Sequence, residues 1–525
     1  MPLKCYYYFV KMDHLNSDLL IHAISYLNAQ DSCFFSTTCK RMFFLVHQYQ
    51  SILGTQLSTH CRSRSREDRQ PRDEYKQCLA CLSSKPNFAL LFLASDAECD
   101  LCSDLYQSGP PGLATVGVRA PKIQANCNQT IECDIDACLM LGTMPPKNTE
   151  IIPFNVSGRT SSTLIKTLTN LSPDTENSVD FWKVFLVYIC GDGYYHAESF
   201  VSELQSKYPH ATIVGGVCDS GYVSCKRMEG RVQRPGPASV EDGIFGLAFG
   251  GDVPVRTIVS RGMKSVTGGD KLSLERSRWI VHDAGISRTG DQSYPLSRED
   301  VYADSELRPM HIIRSIIDNS SGQVVSPLSM LNSVTNPPEY IGLRRNEMDG
   351  YELHTLYPFS IQSESIMLLT TDGTPEPNIP LSNAEIDLFA LDPESCLQDL
   401  DHTLRNLKLQ TQNDMILGGV MFSCNGRGPE KSCMLKTEMA DANCFQKYFP
   451  KVCLGGFYAG GEIGPEAVVG KRNIFQRGKA CVQAFTVVFA LFVVPPVKPG
   501  SFTFEDSHSN VLDFVRWHLE ERRAT

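Results

Sequence analysis

The chain has 525 residues, 42% of them hydrophobic, and its 59 acidic against 49 basic side chains give a formal net charge of -10. Such a length buries one large core or two to three domains, which places the chain among globular proteins. The negative balance repels a phosphate backbone and excludes nucleic acid as the main partner.

The opening Met1-Pro-Leu-Lys-Cys-Tyr-Tyr-Tyr-Phe-Val10 lacks a basic region, an apolar stretch and a small-residue cleavage site, so secretion is not expected. The 20 cysteines are then expected as reduced thiols in the cytosol or nucleus. Residues 12–50 read as a separate helical block. Asn16 and Ser17 offer capping oxygens, and Leu20, Ile24 and Leu27 follow on one helical face beside Leu19 and Ala23. Asp31 or Ser32 caps a second helix carrying Phe34 and Phe35, and Met42-Phe43-Phe44-Leu45-Val46 forms a third apolar cluster. A block of about 40 residues cannot bury both faces of three helices, so its leftover apolar surface should seek a partner. The basic run that follows, Arg62, Arg64, Arg66, Arg69 and Arg72, is broken by Glu67, Asp68, Asp73 and Glu74 and reads as a solvated linker.

Cys78-x-x-Cys81 and Cys99-x-x-Cys102 have the spacing of a four-thiolate zinc site. Between them, however, lies the apolar run Phe88 to Ala94, a buried strand that at about 3.3 Å per residue holds the pairs roughly 20 Å apart. No metal is therefore expected unless the chain turns fully back after Ser95.

Further strands are predicted at 184–190, 212–217, 244–249 and 253–260, then at 366–370, 416–423, 452–458 and 481–493. The last apolar window, Cys481 to Val494, is shorter than the about 20 residues of a membrane span and fits a buried strand. Polar, Pro-rich and Gly-rich stretches at 142–180, 223–242 and 284–340 read as loops and insertions. Two segments repeat one plan of strand, Gly-rich turn, helix, strand and Gly-rich turn. One runs from Phe185 through Gly191-Asp-Gly193 to Gly221, and the other from Gly418 through Asn425-Gly-Arg-Gly428 to Gly464. A duplicated α/β unit is the economical reading.

The second copy suggests a ligand or substrate pocket at Cys424, Asn425, Arg427, Gly456, Tyr458 and Glu462. Glycines let backbone approach a ligand, turn amides can cradle an anion, and Arg427 supplies a planar fork for carboxylate or phosphate. Glu462 could meet a ligand amine or cap local backbone. Cys424 and Cys190 are the candidate reactive thiols, although burial would raise the pKa of either. Motifs for an enzyme are missing: there is no Gly-x-Ser-x-Gly elbow, His-Glu-x-x-His helix or Walker-type loop. No catalytic residue, cofactor or metal is assigned.

Leu15-Asn-Ser-Asp-Leu-Leu-Ile-His-Ala-Ile-Ser-Tyr-Leu27, then Asp31 and Thr38-Cys-Lys-Arg-Met42, resembles an F-box, with Asn16 where that family prefers Pro and Met42 where it prefers Trp. Gly419-Val-Met-Phe-Ser-Cys-Asn-Gly-Arg-Gly428, Cys444-Phe-Gln-Lys-Tyr-Phe-Pro450 and Gly455-Gly-Phe-Tyr-Ala-Gly-Gly-Glu-Ile-Gly464 resemble the FIST domain, a sensory module with amino- and carboxy-terminal portions. The combination is that of the F-box only protein 22 family. The resemblance implies an α/β (α+β) chain divided into an F-box at 12–55, a charged linker at 56–85, a FIST amino-terminal portion at 86–270, an irregular insertion at 271–340, a FIST carboxy-terminal portion at 341–498 and a tail at 499–525 that is a candidate helix.

It further implies that Leu15, Leu19, Leu20, Ile24 and Leu27 contact the Skp adaptor of a cullin ubiquitin ligase. The FIST domain would then hold the protein to be ubiquitinated, with the chain a non-catalytic receptor in cytoplasm or nucleus. A sensor of an amino-acid-like ligand is the alternative, and neither reading needs nucleic acid or membrane.

Overall fold

The computed structural model describes residues 56–494 except for internal segments, the longest being 64–77, 226–237, 268–278, 289–308, 370–380 and 467–478. The expected F-box helices, with Leu15, Leu19, Leu20, Ile24 and Leu27, and the tail at 499–525 lie outside the described residues. The architecture is mixed α/β, as expected, but the repeat is threefold rather than twofold.

The first unit holds β1 (Gln56–Ser63), β2 (Phe88–Ala94), α1 (Leu101–Ser108), β3 (Ala114–Ala120), β4 (Ile123–Cys127), β5 (Thr130–Ile131) and β6 (Ile135–Thr143). The second holds β7 (Thr149–Val156), α2 (Ser162–Leu171), α3 (Ser178–Phe181), β8 (Trp182–Cys190), α4 (Ala197–Lys207), β9 (Thr212–Val217), β10 (Ser220–Cys225), β11 (Ala238–Val240) and β12 (Gly243–Gly251).

The third opens with β13 (Val255–Ser260) and is interrupted by β14 (Lys264–Ser265), β15 (Trp279–Arg288), β16 (Pro309–Asp318), β17 (Gln323–Val325), α5 (Pro327–Asn332), β18 (Tyr340–Arg344), β19 (Glu352–Thr355), β20 (Ile361–Gln362), β21 (Ser365–Leu369) and β22 (Glu385–Ala390). It resumes with α6 (Pro393–Gln410), β23 (Met415–Cys424), α7 (Ala440–Tyr448), β24 (Cys453–Ala459), β25 (Glu462–Pro465), β26 (Ala480–Gln483) and β27 (Val487–Val494).

Each unit builds a six-stranded sheet to one plan: β1-β6-β2-β3-β10-β11, β7-β12-β8-β9-β25-β26 and β13-β27-β23-β24-β4-β5. In each, two parallel strands (β2 and β3, β8 and β9, β23 and β24) form the centre. A crossover helix joins them, as parallel pairing requires. The last two strands of every sheet come from another unit. The hairpin β4-β5 completes the third sheet, β10-β11 the first and β25-β26 the second, so the units are linked in a ring.

Both faces of the parallel strands are covered, which is why they read as continuous apolar runs. Inward residues of all three sheets share one core, including Phe92, Tyr188 and Phe422 from corresponding strands. Their rings meet around Phe457, at centroid distances of 6.2 Å from Phe92, 6.1 Å from Tyr188 and 5.6 Å from Phe422. Outward faces are covered by helices. On α6, Cys396, Leu400, Leu404 and Leu407 fall on one buried face, after Asp392 accepts from the Ser395 N–H at 2.8 Å and Pro393 opens the helix.

Equivalent glycines mark the repeat: Gly117 lies opposite Leu91, Gly215 opposite Val187 and Gly456 opposite Met421. A Cβ on Gly215 would sit 1.7 Å from the Val187 carbonyl oxygen, and one on Gly456 would sit 1.9 Å from that of Met421, at φ of +156° and +155°. At Gly117 the obstacle is only the movable Cys102 sulfur, 2.9 Å away.

Several expectations are corrected. Residues 56–63, taken as linker, form β1; 142–180 holds β7 and α2; and 223–242 holds the end of β10 and β11. These are edge or swapped strands, whose polar face reads as loop. The insertion expected to be irregular at 271–340 carries β15, β16, β17 and α5, and the nine-stranded sheet of these strands runs on to β22, past the expected boundary at 341, over a core of Trp279, Val281, Ile313, Ile316, Ile341, Ile386 and their neighbours. The window 481–493 divides into β26 and β27 at Phe485, whose φ is 58°. Cys61 on β1 is disulfide-bonded, contrary to the expectation of reduced thiols throughout. No described helix is long and apolar enough to cross a membrane.

Gly215→Ala and Gly456→Ala should each lower stability by about 3 kcal/mol or more, and Gly117→Ala by only about 1 kcal/mol, because backbone cannot yield as a thiol side chain can. Urea melts of the three variants check the order. Equal losses would show that the register glycines are not what keeps the central strands together.

Candidate functional site

The third unit's Gly-rich turn begins where β23 ends. The Cys424 N–H donates to Thr486 O at 3.0 Å, the Asn425 N–H to Ala459 O at 3.0 Å and the Arg427 N–H to Cys424 O at 3.0 Å. The turn is thus stitched to both neighbouring strands. Asn425 points to solvent, whereas Arg427 is completely buried.

Arg427 is a brace. Its Nε donates to Asp441 Oδ2 at 3.1 Å and its Nη2 to Asp441 Oδ1 at 2.7 Å, while Nη1 reaches Arg261 O at 3.0 Å and Phe485 O at 3.3 Å. Asp441 lies in the first turn of α7, where the helix dipole favours an anion, and it also accepts the Ser423 hydroxyl. Burial opposes the guanidinium charge, but Asp441 outweighs it and holds Arg427 above its ordinary pKa. The fork offered by the sequence to an outside anion is therefore engaged by a helix of the same chain.

Strand alternation separates the other candidates. Tyr458 faces the outer layer with Met421, its hydroxyl 3.6 Å from Met439 Sδ and its ring against Gly428. Gly456 shares that outer register and serves strand pairing. Cys424 and Glu462 come together at the top of β23 instead. Glu462 is fully buried, and its Oε2 accepts from Thr486 N at 3.1 Å and Thr486 Oγ1 at 2.8 Å, capping the break between β26 and β27. Among the described residues its Oε1 has no hydrogen-bond partner, with the Cys424 thiol as its titrating neighbour.

Burial raises the Glu462 carboxyl to about 8. Burial and then the Glu462 charge push the Cys424 thiol up to about 12, and burial with Asp242 and Glu241 does the same to Cys190. Neither candidate thiol is a thiolate at neutral pH, so the structure does not activate them as nucleophiles.

Residues that the sequence did not single out complete the cluster. Ser260 Oγ donates to Asp399 Oδ2 at 2.6 Å, and Arg261 Nη2 donates to Gln483 Oε1 at 3.4 Å. Asp441 had one available signal, an acid in the first turn of a helix otherwise lined by Ala440, Ala442 and Phe445. Asp399 and Thr486 had none, because their partners are remote in sequence.

For the cysteine pairs, the separation argument is corrected. The chain does turn back after β2, since α1 must cross to β3, and Cys102 packs on the same apolar cluster as Cys78. The Cys78 thiol lies 3.6 Å from Leu139 O. Cys81 and Cys99 lie outside the described residues. Among the described residues no group of three or more His, Cys, Asp or Glu side chains is placed to hold a metal ion.

Residues 381–465, from just before β22 to β25, match the family model of the FIST C domain. No curated protein matches the chain. Residues 381–465 are thus similar to the FIST C domain, a domain associated with sensing or signal transduction.

Two outcomes follow from the geometry. Arg427→Lys should lose about 1 to 2 kcal/mol of stability, since the ammonium keeps the charge beside Asp441 but cannot make the paired bonds to both its oxygens and reach the Arg261 and Phe485 carbonyls as well; calorimetry checks this, and a wild-type melting profile would remove the brace. For Glu462, the folded chain keeps its proton up to about pH 8, whereas the unfolded chain releases it near its ordinary 4.5. The stability this provides is full below about pH 4.5 and is lost as pH rises through 8. Glu462→Gln should flatten that slope in urea melts at constant ionic strength, and an unaltered slope would place the titration elsewhere.

Proposed function

From the premise of a FIST C domain at residues 381–465, we propose that the chain is the substrate-receptor subunit of a cullin ubiquitin ligase, of the F-box only protein 22 type. The observation that carries this reading is the F-box-like segment at Leu15 to Met42 on the same chain as the FIST domain. The F-box binds the Skp adaptor through Leu15, Leu19, Leu20, Ile24 and Leu27. The FIST domain recruits the protein to be ubiquitinated for proteasomal degradation, in cytoplasm or nucleus. The chain itself forms and breaks no bonds, consistent with thiols at Cys190 and Cys424 that burial holds protonated. The engagement of Arg427 by Asp441 also favours docking over capture of a small anion.

One observation favours a second reading, an intracellular sensor of an amino-acid-like ligand. Among the described residues Glu462 Oε1 is buried without a donor, and a ligand ammonium against it would ionise the carboxyl and supply a hydrogen bond.

Affinity purification with mass spectrometry separates the two. The wild-type chain should recover adaptor and cullin, and a Leu20→Ala, Ile24→Ala double variant should lose both, since each anchor at a hot spot contributes about 2 kcal/mol or more. Undiminished recovery by the double variant would end the receptor reading.

A further inference from the structure

The second unit's counterpart of the Arg427 turn is the short 3-10 helix Gly191–His196, which follows β8. Gly193 stands at the third position beyond Cys190, as Arg427 stands beyond Cys424. A Cβ on Gly193 would meet Gly243 O at 2.4 Å, so no side chain can turn inward there. The turn instead presents its aromatic residues outward. Tyr194 is 36% and Tyr195 51% exposed, and they are the only adjacent pair among the exposed large hydrophobic side chains of the described residues. Their rings form an edge-on pair, with centroids 6.4 Å apart and planes at 72°.

The backbone that carries the pair is fixed. Gly191 takes a φ of +55°, the Gly193 N–H donates to Asp242 Oδ1 at 3.2 Å, and α4 begins directly after His196. Exposed carboxylates lie on and beside the same turn: Asp192 within it, and Glu241 and Asp242 on the adjoining connection from β11 to β12, where Glu241 also accepts the Ser239 hydroxyl at 2.8 Å. A Cβ on Gly191 would lie 2.8 Å from Asp242 Oδ1 and 3.1 Å from Glu241 O, which places that connection directly against the aromatic turn.

We propose that Tyr194 and Tyr195, with Asp192, Glu241 and Asp242, form a docking surface for an arginine-containing cationic segment of the recruited protein. Guanidinium groups stack on tyrosine faces and pair with carboxylates in a planar, two-pronged fashion. Tyrosine has only two side-chain torsions, so it supplies contact area at little conformational cost, and it is enriched among the residues that dominate interface energies. The negative charge of the whole chain steers such a segment to it. The proposal rests on the receptor reading only for the identity of the occupant; the surface and its chemistry stand without the adaptor.

The test is a titration of the full chain, without adaptor, into a fluorescent arginine–serine repeat peptide, with a glutamate–serine peptide as control. The wild-type chain should bind the first and not the second. Tyr194→Ala with Tyr195→Ala should weaken binding about tenfold or more, equivalent to about 1.4 kcal/mol, at an unchanged melting temperature. Tyr194→Phe with Tyr195→Phe should retain it. Asp192→Asn with Glu241→Gln should weaken binding and reduce its salt dependence. Equal affinity for the double alanine variant would reveal diffuse attraction to an acidic protein and overturn the proposal, as would absence of binding by the wild type. Adaptor recovery in the purification above is independent of this titration, so either reading can fail alone.

Discussion

Exchange of hairpins among the three sheets is the constraint from which the rest follows. Each sheet has its own central parallel pair, but the strand beside that pair is borrowed, β10 against β3, β25 against β9 and β4 against β24. A unit alone would expose an unpaired edge next to its most buried strands, where unsatisfied backbone groups are costly. The ring of exchanges therefore couples the first described unit to the last. It also brings three strand ends and three turns to corresponding positions, which one sequence has used in different ways.

In the third unit the turn is spent on cohesion. Arg427 ties the turn to α7 through Asp441, to the end of β13 through Arg261 O and to the strand break at Phe485. Glu462 stabilises the same break from the opposite side through Thr486. A buried ion pair contributes little net stability over a well-packed apolar pair, yet breaking it is expensive. Its role here is to fix one arrangement of the turn. In the second unit, where glycine occupies the arginine's register, no such tie forms and the turn faces solvent.

How much of this was legible depended on which physical signal each element carried. Buried on both faces, β2, β8, β9 and β23 announce themselves as apolar runs, and the Gly-rich turns mark two of the three units. The first unit escaped notice because Gly117 is the only register glycine it shares and no Gly-rich turn follows β2. Edge strands are harder to read: β7 carries Ile151, Ile152, Phe154 and Val156, but Pro153 and the polar residues around it break the apolar run, and β11 is only three residues long. The insertion was hidden for a similar reason: His282, Asp283 and Arg314 interrupt its apolar pattern on the exposed face. At the candidate site, the fold brings Cys424, Arg427 and Glu462 to one turn region. Their division between an inner and an outer layer follows from strand alternation, and the capture of Arg427 depends on a helix whose approach no local pattern specifies.

The insertion leaves and re-enters the third unit at nearly one point. Gly262, just after β13, has its carbonyl 3.1 Å from the thiol of Cys396 on α6, and a Cβ on Gly262 would touch that helix's backbone at 2.4 Å. The stem of the nine-stranded sheet is thus a narrow hinge point. Arg261 lies at its root, with its carbonyl in the grip of Arg427 and its guanidinium on Gln483. A load applied to the outlying sheet enters the body of the chain through two short connections, one at Arg261 and the other at Leu391-Asp392 ahead of α6, so the buried charge cluster is also the mechanical anchor of the first.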